Sequence, residues 1–179
     1  MQKLLKCLVV SLLALPAMVA AHGPSRLKVE KEIAVSAPAE KVWEVIKDFC
    51  AIDNWHPAVA KCEGAGGNKV GATRVLTLES PDSGKNIYEE MTAYDATNMK
   101  YKYKITKVDV KVLPVTTYAA EIRVMADGSG SKVIWKGGFY RGDTNNNPPP
   151  ELNDAAAIKA ITGVYEGGLA EIKKLAESQ

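Results

Sequence analysis

The stretch Ser36-Ala37-Pro38-Ala39-Glu40-Lys41-Val42-Trp43-Glu44-Val45-Ile46-Lys47-Asp48-Phe49, running on through Cys50-Ala51-Ile52-Asp53-Asn54 into Trp55-His56-Pro57, decides how the whole chain reads. Val42, Val45, Ile46 and Phe49 fall at i, i+3, i+4 and i+7, one apolar stripe that predicts an amphipathic helix over 38–49. Pro38 suits the first turn, with Ser36 or Ala37 as the cap. Residues 51–55 have room for a second, very short helix. Pro57 then bars regular continuation, so an indole and an imidazole are fixed beside the end of a short helix.

Working outward, Leu27, Val29, Ile33 and Val35 alternate with polar residues, a strand with one dry face. Downstream, the run Glu63-Gly64-Ala65-Gly66-Gly67-Asn68 reads as a loop. It lacks the GxGxxG spacing and following helix of a phosphate cradle, so a hairpin connection is expected. Strands are expected at about 72–80, 86–95, 98–107, 115–126 and 131–141, with turn residues between them. Met99, Tyr101, Tyr103 and Ile105 alternate with three lysines; Tyr118, Ala120, Ile122 and Val124 repeat the pattern, as do Val133, Trp135 and Phe139. The short loops favour antiparallel pairing. After a polar tract ending in Pro148-Pro149-Pro150, Asn153 and Asp154 cap a final helix, lined on one side by Ile158, Ile161, Tyr165, Leu169, Ile172 and Leu175. Gly163, Gly167 and Gly168 each weaken that helix by about 1 kcal/mol relative to Ala. They mark close approach to the sheet, space for a ligand, or local tolerance.

The first residues read as an address label. Lys3 and Lys6 precede the short apolar run Leu8 to Leu15, and Val19-Ala20-Ala21 offers small residues for cleavage. Residues 1–21 are therefore expected to be a signal peptide, cleaved after about Ala21, with export to the periplasm or beyond. The apolar run is short of the ~20 residues that span a bilayer, so no stable membrane insertion is expected. The chain holds 23 Lys+Arg and 21 Asp+Glu; losing two leader lysines leaves 21 of each, formally neutral. That balance argues against nucleic acid, which draws a basic excess. Residues 22–179 suit a single domain.

Cys50 and Cys62 remain in an oxidising compartment, either as a disulfide or as two buried thiols. A bridge would close a loop of roughly 13 residues, worth ~3 kcal/mol in the chain-entropy model. No GxSxG, HExxH, CxxC or EF-hand pattern occurs. His22 and His56 are the only histidines, which leaves little for a triad or a His-rich zinc site, and no metal or cofactor is expected. His56 suits a hydrogen-bonding role at its turn, contact with a ligand, or general-base work with Asp53 as orienter. At a mature N-terminus, His22 could chelate copper through its amine and imidazole, or simply be a loose end.

The order of strand, helix, short helix, strands and long closing helix is similar to the helix-grip fold of the START-like superfamily, also called SRPBCC or the polyketide cyclase/dehydrase-like group. Asp48-Phe49 followed by Trp55-His56-Pro57-Ala58-Val59 resembles a common motif of that group. More narrowly, the leader, His22-Gly23-Pro24, and Phe139-Tyr140-Arg141-Gly142-Asp143-Thr144 with Leu152-Asn153-Asp154 resemble MxaD-type proteins, periplasmic accessory proteins of bacterial methanol oxidation. The resemblance implies an α+β fold, a curved antiparallel sheet wrapped around the C-terminal helix. It also implies a non-enzymatic role, assisting electron transfer from methanol dehydrogenase to a c-type cytochrome. In such a fold the sheet's dry face lines a cavity, which makes Trp55, His56, Tyr101, Tyr103, Tyr118, Trp135, Phe139 and Tyr165 its candidate lining; the alternative for these aromatics is plain core. The polar tract with Tyr140, Arg141, Asp143 and Asn145 is the candidate partner surface, or an ordinary loop. Two further readings stay open: a carrier of a small hydrophobic ligand, and a cyclase- or hydrolase-like enzyme using His56.

Overall fold

In the computed structural model, residues 23–79, 81–82 and 84–178 are described. The expected signal peptide, and His22 with its copper reading, lie outside these residues. Seven strands form one antiparallel sheet: β1 (Leu27–Val35), β2 (Val59–Ala65), β3 (Thr73–Leu78), β4 (Asn86–Asp95), β5 (Lys100–Lys107), β6 (Val115–Asp127) and β7 (Gly130–Arg141), in the order β1-β7-β6-β5-β4-β3-β2. Strands β2 to β7 are a meander, and β1 returns to pair with β7. Helix α1 (Ala39–Ile46) carries the chain from β1 to the far edge, and α2 (Asp154–Ser178) packs against β1, β7 and α1. This is the α+β helix-grip architecture.

Helix α1 is shorter than the sequence suggests. Pro38 is itself the N-cap residue, with ψ at 149°, and no side chain caps the turn. The helix stops at Ile46, and Phe49 is buried from the turn beyond it. The buried face of the helix is Ala39, Val42, Trp43 and Ile46; of the expected stripe Val42, Ile46 and Phe49 are buried and Val45 is half-buried, and Trp43 widens it. Trp43 packs on Tyr94 and Tyr101, with ring centroids 5.8 and 6.3 Å away.

The run expected as a loop at 63–68 begins as strand. Glu63, Gly64 and Ala65 pair with Val75, Arg74 and Thr73. Strand β2 is an edge, mostly exposed, so it carries no alternation to read. A Cβ on Gly64 would stand 2.8 Å from Cys50 Sγ, so the glycine admits the bridge between Cys50 and Cys62, whose Cα atoms are 5.6 Å apart. The hairpin turn follows at Gly66 and Gly67, with φ of 92° and 62°.

The core face of α2 is Ala157, Ile161, Tyr165, Gly168, Leu169, Ile172 and Ala176. Ile158, expected inside, is 40% exposed. Small residues fall on the face nearest the sheet, where large side chains would hold the helix off. Asn153 caps it, its Oδ1 accepting from the Ala156 N–H at 2.9 Å. Among the described residues no helix is long and apolar enough to cross a membrane.

Candidate functional site

Between the sheet and α2 lies a cavity of about 160 Å³. Its apolar side is built from Leu76, Leu78, Ile87, Ile105 and Ile161, and its polar side from His56, Glu89, Tyr103, Tyr118 and Trp135. The wall exists because alternate residues of β3, β4 and β5 face inward. A bulge between Thr116 and Ala119 shifts the phase of β6 so that Val115 and Tyr118 both point in. Thr117 takes φ of 49° there, an unfavourable conformation for a β-branched residue.

A hydrogen-bonded chain runs along the polar side. Trp135 Nε1 donates to the Tyr103 hydroxyl at 3.0 Å, the Tyr103 and Tyr118 hydroxyls lie 3.2 Å apart, and those of Tyr118 and Tyr165 lie 2.7 Å apart. Tyr165 stacks on Trp135 with centroids 4.6 Å apart and planes 13° from parallel. Gly137 leaves the room its hydroxyl occupies; a Cβ there would collide with it. Burial holds the Tyr103 and Tyr118 hydroxyls well above the ordinary phenol range, so all three stay protonated at neutral pH.

His56 is wedged among Trp55, Trp135 and Gly168. Its Nδ1 accepts from the Ala58 N–H at 3.2 Å, so Nε2 carries the proton and donates to the Val164 carbonyl, 3.1 Å away. Burial, with a smaller repulsion from Arg74, lowers its pKa to about 4. Asp53 does not orient it: that carboxylate accepts from the Cys62 N–H at 3.0 Å. The general-base arrangement that the spacing permits is therefore absent, because Asp53 is turned to pin β2.

Arg74 and Glu89 form a buried ion pair at 2.6 Å across β3 and β4. Arg74 also donates to the Phe49 carbonyl, and its guanidinium lies 4.0 Å from the Phe49 ring centroid. Burial pushes the Glu89 carboxyl up against the pull of Arg74. Sequence reading missed this pair. The available signal was register: Arg74 shares its strand face with Leu76 and Leu78, as Glu89 does with Ile87 and Met91.

Of the eight aromatic and imidazole candidates, His56, Tyr103, Tyr118 and Trp135 line the cavity. Trp55, Tyr101, Phe139 and Tyr165 do not; they are packed in the core. Trp55 packs on Trp135, Tyr101 on Trp43 and Phe49, Phe139 on Tyr118, and Tyr165 sits behind Trp135. Tyr101, Tyr103, Tyr118, Trp135 and Phe139 come from the sheet's inner face, Trp55 and His56 from the turn after α1, and Tyr165 from α2. Packing against the helices fills the space around the four that miss the cavity.

In the polar tract, Arg141 is turned inward. It donates to the carbonyls of Asp143 and Asn145, both at 2.7 Å, and to the Asp154 carboxylate at 3.1 Å. Asp143 Oδ1 accepts from both the backbone and the side chain of Asn145. Tyr140 is half-buried, and Thr144 to Asn147 are presented to solvent on this fixed loop. A larger depression of about 490 Å³ on the outer sheet face holds the ion pairs of Glu121 with Lys102 and Lys136. Both lysines are largely solvated although Glu121 is buried, and this open depression defines no enclosed site. Among the described residues no group of three or more His, Cys, Asp or Glu is placed to hold a metal.

The sequence profile of the family described as polyketide cyclase/dehydrase and lipid transport matches residues 26–177. No curated protein matches the chain. It is 26% identical to the protein XoxI from Bacillus cereus, with a TM-score of 0.68 over 83% of this chain and 94% of that one. The Zhui aromatase/cyclase from Streptomyces sp. R1128 is 18% identical, with a TM-score of 0.65 over 86% and 94%. A norcoclaurine synthase from Thalictrum flavum is 19% identical, with a TM-score of 0.62 over 87% and 96%. At such identities the last two show the shared fold alone.

Proposed function

The chain belongs to the polyketide cyclase/dehydrase and lipid transport family, and on that premise we propose that it is a non-enzymatic periplasmic accessory protein of the MxaD type, acting by contact rather than by catalysis. The observation that carries this reading is the state of His56. It is the sole histidine of the described residues, and both its nitrogens are bound to backbone groups in the interior. A base so engaged has no lone pair to offer a substrate. Support for the accessory role comes from the segments around Phe139 to Thr144 and Leu152 to Asp154, and from the likeness to XoxI. The protein assists methanol dehydrogenase in passing electrons to a c-type cytochrome, docking weakly through its fixed polar tract. Redox encounters bury little area, so a third protein can change their rate without tight binding. The test adds purified protein to dehydrogenase plus cytochrome. A faster cytochrome reduction that fades with ionic strength is expected; an unchanged rate at every ionic strength overturns the role.

A second reading is favoured by the cavity between the sheet and α2: the protein carries a small, mostly apolar molecule. Native mass spectrometry of protein from its own host should show an adduct lost on denaturation. A clean apo mass counts against it.

A further inference from the structure

Resting on the carrier reading, we propose that the cavity selects a small uncharged ring or chain bearing one hydroxyl, a monocyclic phenol or short alcohol, whose oxygen bridges Tyr103 and Glu89.

Size comes first. The cavity, about 160 Å³, is close to the ~150 Å³ engineered apolar cavity that takes up benzene, so a single ring fills it. Polarity follows from the hydroxyl chain. Three tyrosine hydroxyls have three protons, but only two oxygen–oxygen contacts join them. One proton is left for a partner outside the chain. Among the described residues Tyr118 is the only hydrogen-bond partner of the Tyr165 hydroxyl. An unmatched proton at that end would be buried without an acceptor and costly. Tyr165 therefore donates to Tyr118. Of the two remaining hydroxyls, both lining the cavity, Tyr103 is the one on which the Glu89 carboxylate acts, so the free proton is drawn to Tyr103.

Glu89 supplies the opposite need. Its only side-chain partner among the described residues is Arg74, on Oε2, whereas a carboxylate can accept about four hydrogen bonds. It therefore faces the cavity as an acceptor wanting a donor. A hydroxyl oxygen accepts from Tyr103 and donates to Glu89 at once; a ketone can only do the first, and a hydrocarbon neither. Charge is excluded on both sides. An anion would meet the carboxylates of Glu89 and Asp82 with no free cation among the described lining residues, since Arg74 is engaged and His56 is neutral. A cation would compete with Arg74 for Glu89 and strand a buried guanidinium.

The experiment titrates the intact protein with 4-methylphenol, toluene and benzoate, following intermolecular NOEs from the ligand to the Ile105 and Leu113 methyls. Expected is one-to-one binding of 4-methylphenol with those NOEs, at least about tenfold tighter than toluene, and no benzoate binding. Tyr103→Phe should erase the preference over toluene while toluene still binds. Should that variant not fold, the wild-type protein decides alone, through its ranking of 4-methylphenol, toluene and benzoate. Equal binding of toluene and 4-methylphenol, or tighter binding of benzoate, overturns the hydroxyl class and leaves the carrier reading standing. Binding of none of the three overturns both.

Discussion

Hydrogen-bonded at both nitrogens and walled by two indoles, His56 titrates near 4 in the folded chain against 6.5 when exposed. Its folded pKa is depressed, so the unfolded chain binds more protons between those values and stability rises with pH across that window. The contribution is complete above about pH 6.5 and is lost as pH falls towards 4, about 3 kcal/mol in all. Urea unfolding of the wild type should show this loss between pH 7 and pH 4, and His56→Gln should lack that increment although less stable at pH 7. Equal pH slopes for the two proteins would refute the assignment. At the Arg74–Glu89 pair the larger force is desolvation. Removing one partner, by Arg74→Met or Glu89→Leu, leaves the other buried and should destabilise by roughly 3–5 kcal/mol. The joint replacement Arg74→Met with Glu89→Leu should recover most of that. A double-mutant cycle with additive losses would show that the two side chains do not act as a unit.

Within α2, two glycines of the same helix should respond in opposite ways. A Cβ at Gly163 meets nothing within 4 Å, so Gly163→Ala should gain up to about 1 kcal/mol from helix propensity. At Gly168 a Cβ would stand 2.7 Å from Trp135 and 2.8 Å from His56, so the same change should cost about 1–3 kcal/mol net through overpacking. Thermal midpoints moving in the same direction would contradict this packing. The bridge to β2 offers a second test: the Cys50→Ala, Cys62→Ala protein should lose about 3 kcal/mol, and an intact mass unchanged by reduction would show no bridge to lose. These elements also show what the sequence made legible. Strands β3 to β7 alternate over long runs with turn residues between them, so their bounds could be read to within a few residues. Edge strand β2 has no dry face and two glycines beside it, and was invisible for that reason. In α2 the face was set by Ala157, Gly168 and Ala176, small residues that hydrophobic counting passes over. The site was half legible: Tyr103, Tyr118, Trp135 and His56 came from alternation and the Trp-His-Pro turn. Arg74 and Glu89 needed cross-strand register, which no single strand reveals.

For the molecule as a whole, a single sheet with one apolar face needs a second layer to bury it. Here α2 supplies that layer over β1 and β7, and α1 adds to it. Tyr165 completes the hydroxyl chain from α2, Val164 receives His56, and Ile161 closes the cavity. Residues of the last element in sequence thus finish a site begun near position 56, and fold and site should be lost together. A chain ending at residue 153 is expected to lack a cooperative thermal transition and to bind hydrophobic dye, as a sheet with its inner face uncovered would. Adding a peptide of residues 154–178 should restore near-ultraviolet dichroism from Trp55 and Trp135, because its buried face matches the groove it leaves. The tyrosine-to-phenylalanine change at 165 in that peptide should restore the fold less well, since Tyr118 would lose the shorter of its two hydroxyl contacts. Cooperative unfolding of the shortened chain by itself would mean that the sheet is stable without its grip, and that the cavity wall forms before α2 arrives.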